Sequence, residues 1–342
     1  MGSTGEHVNI SVMLSGLAVG TGFGFVLQRG RFCLNTAFRN AFYIKDFTLL
    51  RSYLVALVIA VVGANILDQF GIVHVSETAQ QFTWLANIIG GYLFGSGMVL
   101  AGSDAAGAWS RAGEGLVGSW MTALGIMIGA SAASRGALSS VAAGIESFVL
   151  VSAGGDPLTI YGLLGVNRWI VIALLLGAAL TFVFIGRAPY SSSQTGYKWN
   201  TSGILIGLMI VLSFFVAEFM TGTAEGITFI GPADGLLASV VSGRRWNWGI
   251  SMAAGVPLGS FISAGWLHEF SWRAPRADVM VQQLAGGLIM GVGGMLAGGC
   301  SIGHGLTGIS TLAMSSVVSM ASIILGSWTM VYLLFIKSSS GR

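Results

Sequence analysis

Two thiols, a carboxylate and an imidazole are the side chains in this sequence whose types and settings could do chemistry. Cys33 and Cys300 are its two cysteines, and there are four histidines. So small a set excludes a disulfide framework, an all-cysteine iron–sulfur site and a CxxC zinc site, and no metal or cofactor is expected. Cys300 lies in Gly298-Gly299-Cys300-Ser301-Ile302-Gly303-His304-Gly305, and Asp104 in Gly102-Ser103-Asp104-Ala105-Ala106-Gly107. Each cluster ends an apolar run and is too rich in glycine to stay helical. Unwound backbone at membrane depth is tolerated only where protein buries it or where it lines a cavity. Exposed N–H groups at a loop-to-helix junction, together with the positive end of the next helix, make an anion site. Gly102, Gly299 and Gly303 are therefore expected to line a substrate path, with Cys33 and Cys300 on it.

Each of these residues also has a plainer role open to it. Cys33, in Gly30-Arg31-Phe32-Cys33-Leu34-Asn35-Thr36, could be an ordinary buried thiol. Arg29 and Arg31 would favour its thiolate if they face it, or they anchor the membrane interface. Asp104 is a functional candidate as a carboxylate at the membrane, or the N-cap of the following helix. Arg111 could pair with Asp104 or with Glu114 at a mouth of the path. His304 could donate to a substrate or satisfy a loop carbonyl. Neither thiol has a general base beside it in the sequence.

The elements that must position these groups follow from composition. Charged residues make up 8% of the 342 and hydrophobic ones 54%, against roughly a quarter charged in an ordinary soluble domain. The chain reads as an all-α polytopic membrane protein, its main partner the lipid bilayer. Nine uncharged runs of at least sixteen residues, 7–28, 52–67, 78–103, 115–134, 169–186, 199–217, 246–267, 279–303 and 305–336, predict about nine transmembrane helices. The shorter apolar runs 136–145, 147–155, 157–167, 226–233 and 235–243 predict half-helices, re-entrant segments or interfacial helices. The first run has no basic stretch before it and reads as a retained span. The tails, 1–6 and 338–342, are assigned no role. A net charge of +3 gives nucleic-acid binding no support, and no nucleotide-binding loop is present.

Charge placement predicts orientation. With the N-terminus outside and the C-terminus cytoplasmic, twelve of the sixteen Lys and Arg fall inside, as the positive-inside bias requires. Arg135, Arg168, Arg244 and Arg245 fall outside, the last two either drawing anions into a vestibule or marking a local error of parity. An internal repeat accompanies this pattern. Residues 90–107 align without gaps on 286–303, with eight identities in eighteen at an offset of 196, and 16–37 weakly echo 203–224. An odd number of spans separates the equivalents, so the halves are inverted. The expected organisation is a first half over 7–134, a connecting segment with one span over 135–198, and an inverted second half over 199–336. Inverted repeats interrupted by glycine at matching positions point to a transport fold with a midplane site.

Gly24-Phe25-Val26-Leu27-Gln28-Arg29-Gly30-Arg31-Phe32-Cys33, the stretch Met98–Gly115, and Leu296–Gly305 with its LAGGCSIGHG resemble the YeeE/YedE family of sulfur-transport membrane proteins, across nearly the whole chain. The resemblance implies an inner-membrane importer of thiosulfate with an hourglass-like inverted-repeat fold. It also implies a relay of cysteines in loops that plunge from both faces, and delivery to a small cytoplasmic TusA-like sulfurtransferase. Two family cysteines match Cys33 and Cys300. Where the family usually has the third, in AGGCASG, this chain has Asp104, and a carboxylate repels a dianion unless it is protonated or paired with a base such as Arg111. The expected function is a permease for thiosulfate or a related sulfur oxyanion, and not an enzyme. The alternatives are a membrane sulfurtransferase forming a cysteine persulfide, and a transporter of a selenium species or another anion.

Overall fold

In a computed structural model, residues 10–151, 157–185 and 196–337 are described. The two tails, Arg187, Arg342 and part of the run 147–155 lie outside them. The described residues form an all-α protein, with isolated bridges such as Leu116 to Arg273 and no strand. Fourteen α-helices follow in order: α1 (Ile10–Gly30), α2 (Leu34–Tyr43), α3 (Thr48–Gln69), α4 (Trp84–Ala101), α5 (Ala105–Gly113), α6 (Val117–Ser134), α7 (Ser139–Glu146), α8 (Ile160–Leu164), α9 (Arg168–Ile185), α10 (Trp199–Thr221), α11 (Ile230–Ser242), α12 (Trp248–Trp266), α13 (Ala277–Ala297) and α14 (Met314–Val331). Between α13 and α14 a short helix over 301–310 is wound as a π-helix at Gly303–Gly308.

Seven stretches are long and apolar enough to cross a bilayer: Ile10–Tyr43, Thr48–Gln69, Trp84–Gly113, Val117–Ser134, Trp199–Thr221, Ala277–Ala297 and Met314–Lys337. The other two expected spans are α9, whose apolar part Arg168–Phe184 is short, and α12, which lies along α1. Of the five short apolar runs, 136–145 holds α7, 157–167 holds α8, and 226–233 with 235–243 make up α11, while the described part of 147–155 forms no helix. These helices are short because their runs are too short to span.

Close approaches fix the direction of each helix. Gly16, Gly20 and Gly24 of α1 meet Trp248, Met252 and Val256 of α12 in the same order, so these two helices run parallel. Gly203 and Gly207 of α10 lie on Ser52 and Ala56 of α3, again in order. Gly90 meets Gly293 and Ala297, whereas Gly97 meets Gly286, so α4 and α13 are antiparallel. Helices α1, α4, α12 and α14 thus run one way, and α3, α6, α10 and α13 the other. From the centre, α2 and α5 run to the face where α1 ends. Helix α11 and the helix over 301–310 run to the face where α1 begins. The half-helices bridge the long ones, α5 packing on α12 and α6, and α11 on α6 and α12.

Ion pairs account for two of the arginines that sit against the charge bias. Arg135, at the end of α6, is bound to Asp234 of α11, which also accepts from Ser131 and Ser134 at 2.7 and 3.0 Å. Arg168 is bound to Asp68 at the end of α3. Arg244 and Arg245 follow α11, at the same face, as their sequence parity placed them.

Two predictions follow from packing and charge. A Cβ at Gly20 would stand 1.8 Å from the Met252 carbonyl oxygen, and one at Gly259 1.8 Å from that of Thr21. Backbone cannot yield as a flexible side chain does, so Gly20→Ala is expected to cost about 3 kcal/mol and to lower the midpoint of thermal unfolding in detergent by several degrees. His74 Nδ1 lies 2.9 Å from Glu218 Oε1, and this hydrogen bond and the carboxylate's charge raise the imidazole pKa. The link is therefore fully present below the ordinary histidine pKa of about 6.5 and is lost as pH rises through the raised value. Thermal unfolding of the protein and of His74→Ala should differ at pH 5.5 and converge at pH 9; a gap independent of pH would exclude the link.

Candidate functional site

Two helices stop in the middle of the bundle, and each stop leaves carbonyls with no helical partner. Helix α4 ends at Gly102 with φ 74° and α13 at Gly298 with φ 86°, the left-handed conformation that glycine adopts without strain. Each helix also caps the other. Asn87 Nδ2 of α4 donates to the Ala297 carbonyl at 2.9 Å, and Gln282 Nε2 of α13 donates to that of Leu100 at 3.0 Å. Gln80 Nε2 holds the Gly298 carbonyl at 2.8 Å, and Arg111 holds that of Gly102 at 3.3 Å. With the breaks stabilised in this way, the chain can restart as a half-helix at the centre.

Four such restarts meet. Cys33 is the N-cap position of α2, Asp104 of α5 and Phe229 of α11. Cys300 immediately precedes the helix over 301–310, its carbonyl accepting from His304 N–H at 2.8 Å. Cys33 and Phe229 are 196 residues apart, as are Asp104 and Cys300. Helix N-termini are electropositive, so four partial positive charges face the centre around the Asp104 carboxylate.

Asp104 ties these starts together. Its Oδ1 accepts from Gly107 N–H at 3.0 Å and from Cys33 Sγ at 3.2 Å, and its Oδ2 accepts from Ser301 Oγ at 3.3 Å. The two thiols therefore stand on segments joined through one carboxylate and one hydroxyl. Cys300 Sγ accepts from Gly303 N–H at 3.2 Å. Both thiols are buried. Gly303 is small because Thr228 Oγ1 would stand 2.8 Å from a Cβ there, with Cys300 Sγ at 3.5 Å. Gly299 packs on the His304 ring, at 3.2 Å from Nε2 to the position of a Cβ. His304 Nδ1 is 3.3 Å from Ser316 Oγ, while the buried Nε2 has no hydrogen-bond partner. Gly102 faces open space, with nothing within 4 Å of a Cβ.

The structure corrects several expectations. Arg29 stacks over Tyr197, and Arg31 pairs with Glu269 at 2.7 Å and Glu114 at 3.4 Å, so these cations are engaged away from the thiol. Glu114 is thus matched with Arg31 rather than Arg111, whose guanidinium is turned to the Gly102 carbonyl. Asp104 is indeed an N-cap, and it does more than cap. Folding also gives Cys33 the acceptor that its sequence neighbourhood lacks. Arg31 reaches its partners from a left-handed backbone, φ 47°, which turns the chain sharply between α1 and α2.

Sequence reasoning passed over three residues here. Ser301 joins the two thiol-bearing segments. Phe229 packs against Phe23 and Trp109, with ring centroids 6.4 and 6.5 Å apart, and Trp109 Nε1 is buried without a partner. The repeat offset of 196, applied to Cys33, lands on Phe229 and would have found it. No sequence signal marks Ser301 or Trp109.

The arrangement is a buried, donor-rich centre in which thiol, hydroxyl and backbone N–H groups converge, with one negative group already among them. A second unit charge brought within 4 Å of Asp104 would be repelled by about 4 kcal/mol at an effective dielectric constant near 20, and a dianion by about twice that. Toward the face where α1 begins, a cavity of about 830 Å³ is lined by Ser76, Glu77, Ala79, Thr159 and Tyr161 among others, next to the Gln80 that caps Gly298.

The chain matches the Sulphur transport family over residues 29–329. It is 35% identical over 331 residues to a protein of Spirochaeta thermophila named thiosulfate transporter TsuA, covering 94% of this chain and 98% of that one. It is 34% identical over 345 residues to the protein of the same name from Escherichia coli, covering 96% of each. A probable transporter YedE of Escherichia coli is 32% identical over 118 residues, which is 34% of this chain and 28% of the relative. Relatives over nearly the full length are transporters rather than enzymes, and seven apolar stretches suit a multi-pass membrane protein. This chain belongs to the Sulphur transport family.

Proposed function

We propose that the protein imports thiosulfate, or a closely related small sulfur oxyanion, through the centre of the bundle, with Cys300 and Cys33 as hydrogen-bonding stations. The observation that carries this reading is the junction of the two thiol-bearing half-helix starts through Ser301 and Asp104. Helix N-termini and neutral donors attract an anion without the full positive charge that would trap it. The named function of the full-length relatives agrees with such a cargo.

In this reading the ion enters from the cavity beside Gln80 and passes the Gly299 and His304 loop to Cys300. It then crosses Ser301 and Asp104 to Cys33, and leaves past Arg111. The halves 7–134 and 199–336, joined by 135–198, are inverted copies. The antiparallel pairing of α4 with α13 and the shared spacing of the half-helix starts support that division. The protein sits in the inner membrane with α1 beginning outside and the C-terminus cytoplasmic, in keeping with the basic residues gathered at the face where α1 ends. Delivery to a small TusA-like sulfurtransferase at that face rests on the family resemblance alone.

The test is uptake of labelled thiosulfate by cells lacking other importers. Cys300→Ala is expected to reduce the initial rate at least tenfold while the protein stays in the membrane at its usual level. Full uptake by that variant would remove the thiol from the mechanism. A competition panel of sulfate, selenite and thiosulfate on the unaltered protein identifies the cargo, and stronger inhibition by an anion without sulfane sulfur would displace thiosulfate.

A further inference from the structure

An N-cap needs one oxygen and one backbone N–H. Asp104 satisfies that requirement through Gly107 and then takes two further donors, the Cys33 thiol of α2 and the Ser301 hydroxyl of the helix over 301–310. These come from three different elements, and the carboxylate that collects them is 1% exposed. They are the donors an oxyanion at the centre would use, and they are already bound to an oxyanion, the protein's own.

We propose that Asp104 is a tethered anion that determines specificity: it occupies the central donor set, and a transported ion passes only by displacing the carboxylate from Cys33 and Ser301. The proposal rests on the permease reading and deepens it. The space beside Gly102, two residues from Asp104, is open, and the Arg111 guanidinium on the Gly102 carbonyl offers a cation to a carboxylate that swings that way. A fixed negative charge penalises each unit of substrate charge, so the centre selects against dianions relative to monoanions of the same shape. Specificity built from a repelling element of this kind lowers the rate for the ion it admits.

Asp104→Asn keeps an oxygen for the Gly107 N–H and removes the charge, and Asp104→Ser keeps a capping hydroxyl and removes the bulk as well. Initial uptake of labelled thiosulfate at subsaturating concentration is measured for both, beside the unaltered protein and Cys300→Ala. Thiosulfate binding to the purified proteins is read from tryptophan fluorescence, with Trp109 near the centre. The expected result is an uptake rate at least tenfold higher in both variants and a correspondingly lower Kd; uptake gained only in the variants supports the proposal equally. Both variants transporting at or below the original rate, at equal membrane levels, would overturn it. So would failure of both to fold, which would reduce Asp104 to a cap. If Cys300→Ala is inactive while the Asp104 variants show no gain, only this inference falls. If no protein in the set takes up thiosulfate, the permease reading falls with it.

Discussion

No backbone polar group can be left bare in the middle of a bilayer, and this chain breaks two helices there. Everything at the centre depends on how those breaks are satisfied. The carbonyls freed at the ends of α4 and α13 are taken by Asn87, Gln282, Gln80 and Arg111, so that amide and guanidinium groups do the work that water does in a soluble protein. Freed N–H groups at the restarts are the other half of the account. One goes to Asp104 and one to Cys300, which places a carboxylate and a thiol at helix starts for reasons of hydrogen bonding before any question of transport arises. Site and scaffold are therefore the same set of bonds.

Much of this was legible in the residues. The glycine clusters around Asp104 and Cys300 marked where the helices stop, because glycine is what a left-handed cap at Gly102 or Gly298 requires. The 196-residue offset put those two positions in correspondence, and charge parity placed Arg244 and Arg245 on the face that the fold gives them. Long-range partners were not legible. Nothing in the local sequence ties Arg31 to Glu269 or Ser301 to Asp104, since these contacts depend on how α12 lies along α1 and α13 against α4. For the same reason the cations beside Cys33 in sequence were misleading: the turn at Arg31 sends their side chains elsewhere. Of the nine expected spans, seven are long and apolar enough by themselves to cross a bilayer, while the apolar part of α9 is short and α12 carries small polar residues along the side that packs on α1.

The electrostatic design of the centre has an economy of its own. Buried arginines or lysines would hold a doubly charged ion too well for it to leave. Helix termini, a thiol, a hydroxyl and an imidazole with a free nitrogen offer attraction in smaller parts. Arg111 is turned to the Gly102 carbonyl, and other full positive charges are balanced by carboxylates, Arg31 by Glu114 and Glu269, and Arg135 and Arg168 each by an aspartate.

The glycine seams between α1 and α12, and between α4 and α13, have a kinetic consequence. Main chain rests on main chain along their lengths, so these helices have no lubricating layer of side chains on which to slide. Sliding one helix of such a pair past its partner would tear the seam along several turns at once. Each pair is therefore a rigid body, and any larger movement of the bundle has to carry both of its helices together. What is left to move singly is the side chains and the short loops at the helix breaks.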